Sequence, residues 1–295
     1  MFSSSNNKLS AIFSLENVPV LRLPASLVAK VRAGAPKMGD FHAGMIDNML
    51  TVEKGSLSIC MSPEHDKKMI AFVTHGNSTV CAFGRMGLTN FAETSVLLDD
   101  GLPIFCSEQL FALYKTLFVD LSNPEASFDN IVECMSGVLF AAAPQDAKKA
   151  AGRGLRGLNC ALWDSKSVEY MFYALLQVCK HDATFARYKH YAALLGTGDC
   201  KVYETNIDDK IWGIASSTKN FVDTLLAKAE DADFNLFEAA AAVAPGTNKL
   251  GELLTRFLLA VRDMSHADFM GIVGPIRFVE IVDDEDFVRK LQASV

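Results

Sequence analysis

The sequence predicts an α+β chain, with a small β-sheet in its first half and helices dominating its second. Three observations carry this. Between residues 57 and 105, short runs rich in β-branched and aromatic residues alternate with Gly, Pro and Asn punctuation. From Ser107 onward, apolar residues recur at three- and four-residue spacing over windows long enough for helices. The 295 residues are 50% hydrophobic and 21% charged, an ordinary globular balance that can bury a sizeable core.

Taken in order, residues 1–8 are Ser/Asn-rich and read as a frayed start. Val18 to Pro24 reads as an extended segment, with Pro24 in the first turn of a helix carrying Leu27, Val28 and Val31. Gly34, Pro36 and Gly39 mark a loop, and Phe41 to Leu50 suits a second short helix. Leu57–Met61, Met69–Val73 and Thr79–Phe83 read as strands, the last two a hairpin about His75-Gly76-Asn77. Ser95–Leu98 and Leu102–Phe105 flank the turn Asp99-Asp100-Gly101. Ser107 is placed to cap a helix reaching about Val119. Asn123-Pro124 opens another, with Phe128, Ile131, Val132, Met135 and Leu139 inward, and Pro144 begins a shorter one. Helices over Val168–Lys180 and Ala183–Leu195 follow. Residues 216–246 hold two further helical patterns and read as an insertion, an excursion between two parts of one domain. Thr247 or Asn248 caps an apolar helix through Val261, Pro275–Val282 reads as a late strand, and Asp283 starts a terminal helix.

The totals exclude several classes. A net charge of −7 lacks the broad basic footprint of a strong non-specific nucleic-acid binder. One local run, Lys148, Lys149, Arg153 and Arg156, meets either phosphate or water. The seven cysteines include no CxxC pair, which argues against a disulfide framework and a structural zinc site. The six histidines show no metal-ligand spacing, so no metal and no cofactor is expected, and P-loop and GxGxxG signatures are absent. No basic-then-apolar leader or bilayer-length apolar run is found, so a soluble, cytoplasmic chain with no membrane partner is expected. The composition leaves oligomeric state open.

Chemistry concentrates in two places. Leu194 to Glu204 and Asp209 to Gly213 pack a glycine turn, several carboxylates and Trp212 together, the composition of a wall against a planar ligand. Glu108 stands in the first turn of its helix and Lys115 two turns on, along one stripe. A solvated charged face has the same pattern. Asn90, Trp163 in a loop before a helix, and Asn248 at a helix start complete the candidates. Asn90 and Asn248 serve equally as turn and cap residues, and either tryptophan as a half-buried core indole.

Leu88-Thr89-Asn90-Phe91, Ser107-Glu108-Gln109 with Lys115, and Ala147-Lys148 with Gly152-Arg153 stand in a particular order. Trp163, Met171, Thr197-Gly198-Asp199, Glu204, Asp209 with Trp212-Gly213, and Asn248 with Leu250-Gly251 and Arg262 continue it. This ordered set, over roughly residues 68 to 265, resembles the NADAR (YbiA-like) N-glycosidase family. The resemblance implies one helix-rich domain over 68–295, with a 1–67 extension lacking a counterpart and the insertion at about 216–246. It also implies hydrolysis of an N-glycosidic bond to ribose. The partner would be an ADP-ribosyl or ribosyl-base small molecule, or ADP-ribosylated nucleic acid, and phosphorylated ribosylamino intermediates of riboflavin synthesis are a further substrate class. Carried onto this sequence, Glu108 is the principal carboxylate, Asp209 a second acid/base or sugar-binding group, and Lys115 a phosphate ligand or Schiff-base nucleophile. Asn90, Phe91, Trp163, Trp212, Gly213 and Asn248 would bind substrate. Two departures matter: the family's W-G-x-G reads Trp212-Gly213-Ile214-Ala215 here, and the insertion separates that motif from Asn248; both raise a non-catalytic ADP-ribose- or nucleotide-binding module as the rival.

Overall fold

The computed structural model describes residues 5–34, 49–62, 69–84, 88, 96–98, 101–231 and 233–292. In chain order the elements are α1 (Ser5–Ser10), β1 (Leu21–Pro24), α2 (Ala25–Gly34), β2 (Leu50–Lys54), β3 (Leu57–Met61), β4 (Ile70–His75), β5 (Ser78–Phe83), β6 (Val96–Leu97) and β7 (Pro103–Ile104). Then come α3 (Ser107–Tyr114), α4 (Phe128–Leu139), α5 (Pro144–Lys149), α6 (Cys160–Cys179), α7 (Asp182–Leu194) and β8 (Asp199–Glu204). The last are α8 (Thr218–Lys228), α9 (Leu236–Ala242), α10 (Lys249–Val261), α11 (His266–Val273), β9 (Val279–Val282) and α12 (Asp284–Gln292). The fold is α+β, as expected, and the chain groups into two compact units.

The first unit comprises Met1–Ile12, His42–Ala92 and Phe185–His266. Its five-stranded sheet runs β2-β3-β4-β5-β8, antiparallel except for the parallel β5–β8 pair. The β4–β5 hairpin closes His75 against Ser78, and Gly76 supplies the left-handed backbone (φ 57°) that so short a turn demands. Alternation along the strands sends Ala71, Val73, Val80, Ala82 and Tyr203 to one face. Against it lie Phe221, Val222 and Leu225 of α8 and Leu236, Ala239 and Ala240 of α9. Residues 216–246, read as an insertion, supply the α8 and α9 side chains that cover one sheet face. Their apolar residues were readable, but not that the sheet needed them. On the opposite face Tyr191 of α7 stacks on Phe72 at 6.4 Å, and Tyr188 meets Phe257 of α10 edge-on at 5.4 Å.

The stretch that reads as a wall against a planar ligand contains a strand of the sheet. Asp199–Glu204 is the edge strand β8, with Cys200, Val202, Tyr203 and Glu204 buried and Asp199 and Lys201 exposed. Its glycine approach has an internal cause: a Cβ on Gly198 would stand 1.7 Å from the Asn77 carbonyl oxygen. Side chains from around α10 pair the outer edge of β8. The Thr255 hydroxyl accepts from the Val202 amide at 2.9 Å, and Asn248 bridges Glu204 N–H (3.0 Å) and Val202 C=O (2.8 Å).

The second unit comprises Phe13–Phe41, Glu93–Thr184 and Ala267–Val295. Here β1 and β9 pair in parallel, Leu21 against Val279, with Arg22 and Glu280 joined at 3.2 Å. All eight residues of α3 are buried, and α3 packs on α4, α5 and α6. Cys106, not Ser107, is its N-cap, and after Tyr114 the helix tightens to 3₁₀ over Lys115–Phe118 rather than running on. Asn123 forms a turn, its side chain accepting from the Glu125 amide at 2.9 Å. The following helix, α4, starts later than expected, with Ser127 as cap, accepting from Asn130 N–H at 3.1 Å. α6 begins at Cys160, capped by Asn159, so Trp163 lies inside its first turn and not in a loop. The expected helix at Phe41 to Leu50 falls outside the described residues apart from its end, where Leu50 opens β2.

Candidate active site

In the second unit the structure brings Glu108, Lys115 and Trp163 together. Glu108 is 3% exposed in the first turn of α3, where the helix dipole favours its charge. Burying a carboxylate is costly without a partner, and the Lys115 ammonium, within its electrostatic reach, offsets that cost. Burial lowers the Lys115 pKa, Glu108 opposes that shift, and the nearby Lys148 cation adds to it. Cys134 is also a neighbour, but burial pushes its thiol up to about 11, so it sits there neutral.

Lys115 Nζ lies 5.6 Å from the Trp163 ring centroid, a cation–π contact. Phe111 at 4.9 Å and Phe118 at 5.3 Å also hold the indole, which is 7% exposed. Trp163, expected to bind substrate directly, has the surroundings of a core indole, and its visible effect is to fix where Lys115 stands. Gln109 braces the whole arrangement: its Oε1 accepts from Phe105 N–H and its Nε2 donates to Val138 C=O, each at 3.0 Å. Its place beside Glu108 in the sequence gave no hint of that structural role, because both partners lie in other elements.

In the first unit Asp209, Trp212, Gly213 and Asn248 also meet. Asp209 Oδ1 accepts from the backbone N–H of Ile211 (3.0 Å) and Trp212 (2.8 Å), an Asx turn that shapes the loop. The chain entering α10 then docks on that loop. Thr247, Asn248, Lys249 and Leu250 donate their N–H groups to the carbonyls of Lys210, Gly213, Ile211 and Trp212. These bonds satisfy amides that a helix N-terminus otherwise leaves unpaired. Trp212 remains half-buried, while Ile207 and Ile211 stand 59% and 56% exposed on the same loop. Gly213 is required by packing, since a Cβ there would lie 2.9 Å from the Glu204 carbonyl oxygen. Asn248 sits at φ 53° and does not cap α10; its amide is committed to β8, which makes it a clamp on the strand leading into the loop. Asn90 and Phe91 lie outside the described residues.

Ala215 occupies the left-handed region at φ 54°. There a Cβ costs about 1–2 kcal/mol, which accounts for glycine in the family's motif. Ala215→Gly is therefore expected to raise stability by up to about 1 kcal/mol after the greater freedom of glycine in the unfolded chain is subtracted. Chemical denaturation of the two proteins measures it.

Among the described residues no group of three or more His, Cys, Asp or Glu is placed to hold a metal ion, and no helix is long and apolar enough to cross a membrane. No curated protein matches the chain. A model of the NADAR domain matches residues 71–263, well over half of the 295. That span includes both residue groups described above, and the chain belongs to the NADAR domain family, which is associated with N-glycosidase activity.

Proposed function

We propose that the chain is a hydrolase that cleaves the N-glycosidic bond between ribose and an ADP-ribosylated base, using Glu108 and Lys115. The supporting observation is a 3% exposed carboxylate within electrostatic reach of a lysine whose pKa is lowered by burial, the kind of perturbed group found at functional sites. As the C1–N bond lengthens, positive charge grows on the sugar, and the Glu108 carboxylate stabilises it. Glu108 also takes a proton from the attacking water. The hydroxyl adds to C1, the base leaves with the bonding electron pair, and its nitrogen takes up a proton.

The lowered Lys115 pKa favours a second route at the same site. The neutral amine attacks C1 of the ring-opened sugar, displaces the base as an amine, and water then hydrolyses the resulting imine to regenerate lysine. Because the amine must be neutral, this route rises in rate with pH and levels off above the lowered Lys115 pKa. Lys148→Gln removes a neighbouring cation and so raises that pKa, which should move the rise to higher pH in a pH–rate profile. A profile that does not move, or moves to lower pH, removes the lysine route.

A substrate panel followed by mass spectrometry tests the proposal. ADP-ribosylated guanosine and a phosphorylated ribosylamine represent the two substrate classes. Free base moiety from either supports an N-glycosidase and selects the class. Ligand that binds but stays intact supports the binding module instead.

A further inference from the structure

The sheet of the first unit is finished differently at its two edges. Asn248 and Thr255 take up the outer edge of β8. At the other edge β2 pairs only with β3 among the described residues, and all five of its residues are exposed. Such an edge offers a row of backbone N–H and C=O groups to a further strand.

Two rows of side chains run across the sheet to that edge. In one, Val52 faces Ile59, Ile59 faces Val73 and Val73 faces Val80. In the other, Leu50, Met61, Ala71, Ala82 and Tyr203 follow one another. Residues paired across strands point to the same face. Here it is the face covered by α8 and α9, where Ile59, Ala71, Val73, Val80, Ala82 and Tyr203 are buried together. The last member of each row stands in water: Leu50 is 58% and Val52 50% exposed. Natural sheets blunt an edge with charge, proline or a bulge, yet Leu50-Thr51-Val52 carries neither charge nor proline.

We infer that β2 pairs antiparallel with β2 of a second copy of this chain, about a two-fold axis through Thr51. The axis sets Leu50 of each copy against Val52 of the other, so all four exposed apolar side chains are covered and the buried rows continue from sheet to sheet. On the opposite face Thr51 meets its counterpart, a favourable cross-strand pair, and Glu53 falls beside Met49. The other registers fit worse. An axis through Leu50 carries Val52 past the start of the strand, and one through Val52 sets both leucines against Lys54. An axis through Glu53 or Lys54 opposes like charges. Both strands of this hairpin precede residues 71–263 of the NADAR match, and the pairing does not depend on the hydrolytic chemistry. A single strand pair buries less than the roughly 1,200 Å² at which stable interfaces begin, so a dissociation constant of about 1–100 µM is expected.

Sedimentation velocity of the full chain, across about two decades of concentration around that range, should show a monomer passing to a dimer. Leu50→Lys and Val52→Glu should each weaken the dimer about tenfold, because either change alters two cross-strand pairs. Both positions are exposed, so each variant should keep the thermal midpoint of the wild type. Combining the two substitutions in one chain sets opposite charges face to face in the Thr51 register and should restore the dimer to within about threefold of wild type. A chain that stays monomeric throughout overturns the pairing. So do single variants that associate as tightly as wild type, or a double variant no tighter than either single one.

Discussion

Glu108→Gln is expected to lower base release by roughly 100- to 10,000-fold, the contribution of a positioned acid–base group. The amide keeps the shape of the side chain but can neither stabilise growing positive charge nor accept a proton from water. Because the side chain is 3% exposed, solvent cannot replace it with a substitute charge. Loss should appear in kcat with KM little changed, the mark of an interaction made in the transition state. The fold should persist, since a neutral amide is cheaper to bury than a carboxylate and the bracing bonds of Gln109 to Phe105 and Val138 are untouched. Circular dichroism and a thermal midpoint within a few degrees of wild type separate lost chemistry from lost structure.

The largest effect on stability is expected at Phe221. Its ring is fully buried, meets Tyr203 at 5.0 Å, and anchors α8 to the sheet. Phe221→Ala should cost roughly 3–5 kcal/mol by chemical denaturation, lost burial plus the cavity left behind. Removing residues 216–246 altogether would uncover Ala71, Val73, Val80 and Ala82 on the same face and should yield no soluble folded chain. A Phe221→Ala cost below about 1 kcal/mol, characteristic of exposed sites, would contradict the assignment of this segment as sheet cover.

Where local rules decided the structure, the sequence could be read. Gly76 with its neighbours gave the β4–β5 hairpin, and the apolar periodicities of α4 and α10 gave those helices, because turn chemistry and amphipathic spacing act over a few residues. Glu108 and Lys115 were legible as neighbours for the same reason, although Lys115 opens the 3₁₀ turn that follows α3. β8 was not, since Asp199 and Lys201 make it look polar and its outer edge is completed by Asn248 and Thr255, far along the chain. Nor was the partner of α9, where Ala239 and Ala240 lie in one cluster with Ala71 and Ala82, a small-on-small fit that composition does not announce. Trp163 was misplaced for want of recognising Asn159 as the cap directly before α6, its side chain accepting from the Leu162 amide.

The bond that breaks can be read directly. Purified chain is incubated with ADP-ribosylated guanosine in ¹⁸O-labelled water, and the products are resolved by mass spectrometry. Unlabelled guanosine and an ADP-ribose carrying one heavy oxygen at its anomeric carbon are expected. A nucleoside in which heavy oxygen has replaced the nitrogen that carried the ADP-ribose, or substrate that remains intact while bound, would contradict hydrolysis at the C1–N bond.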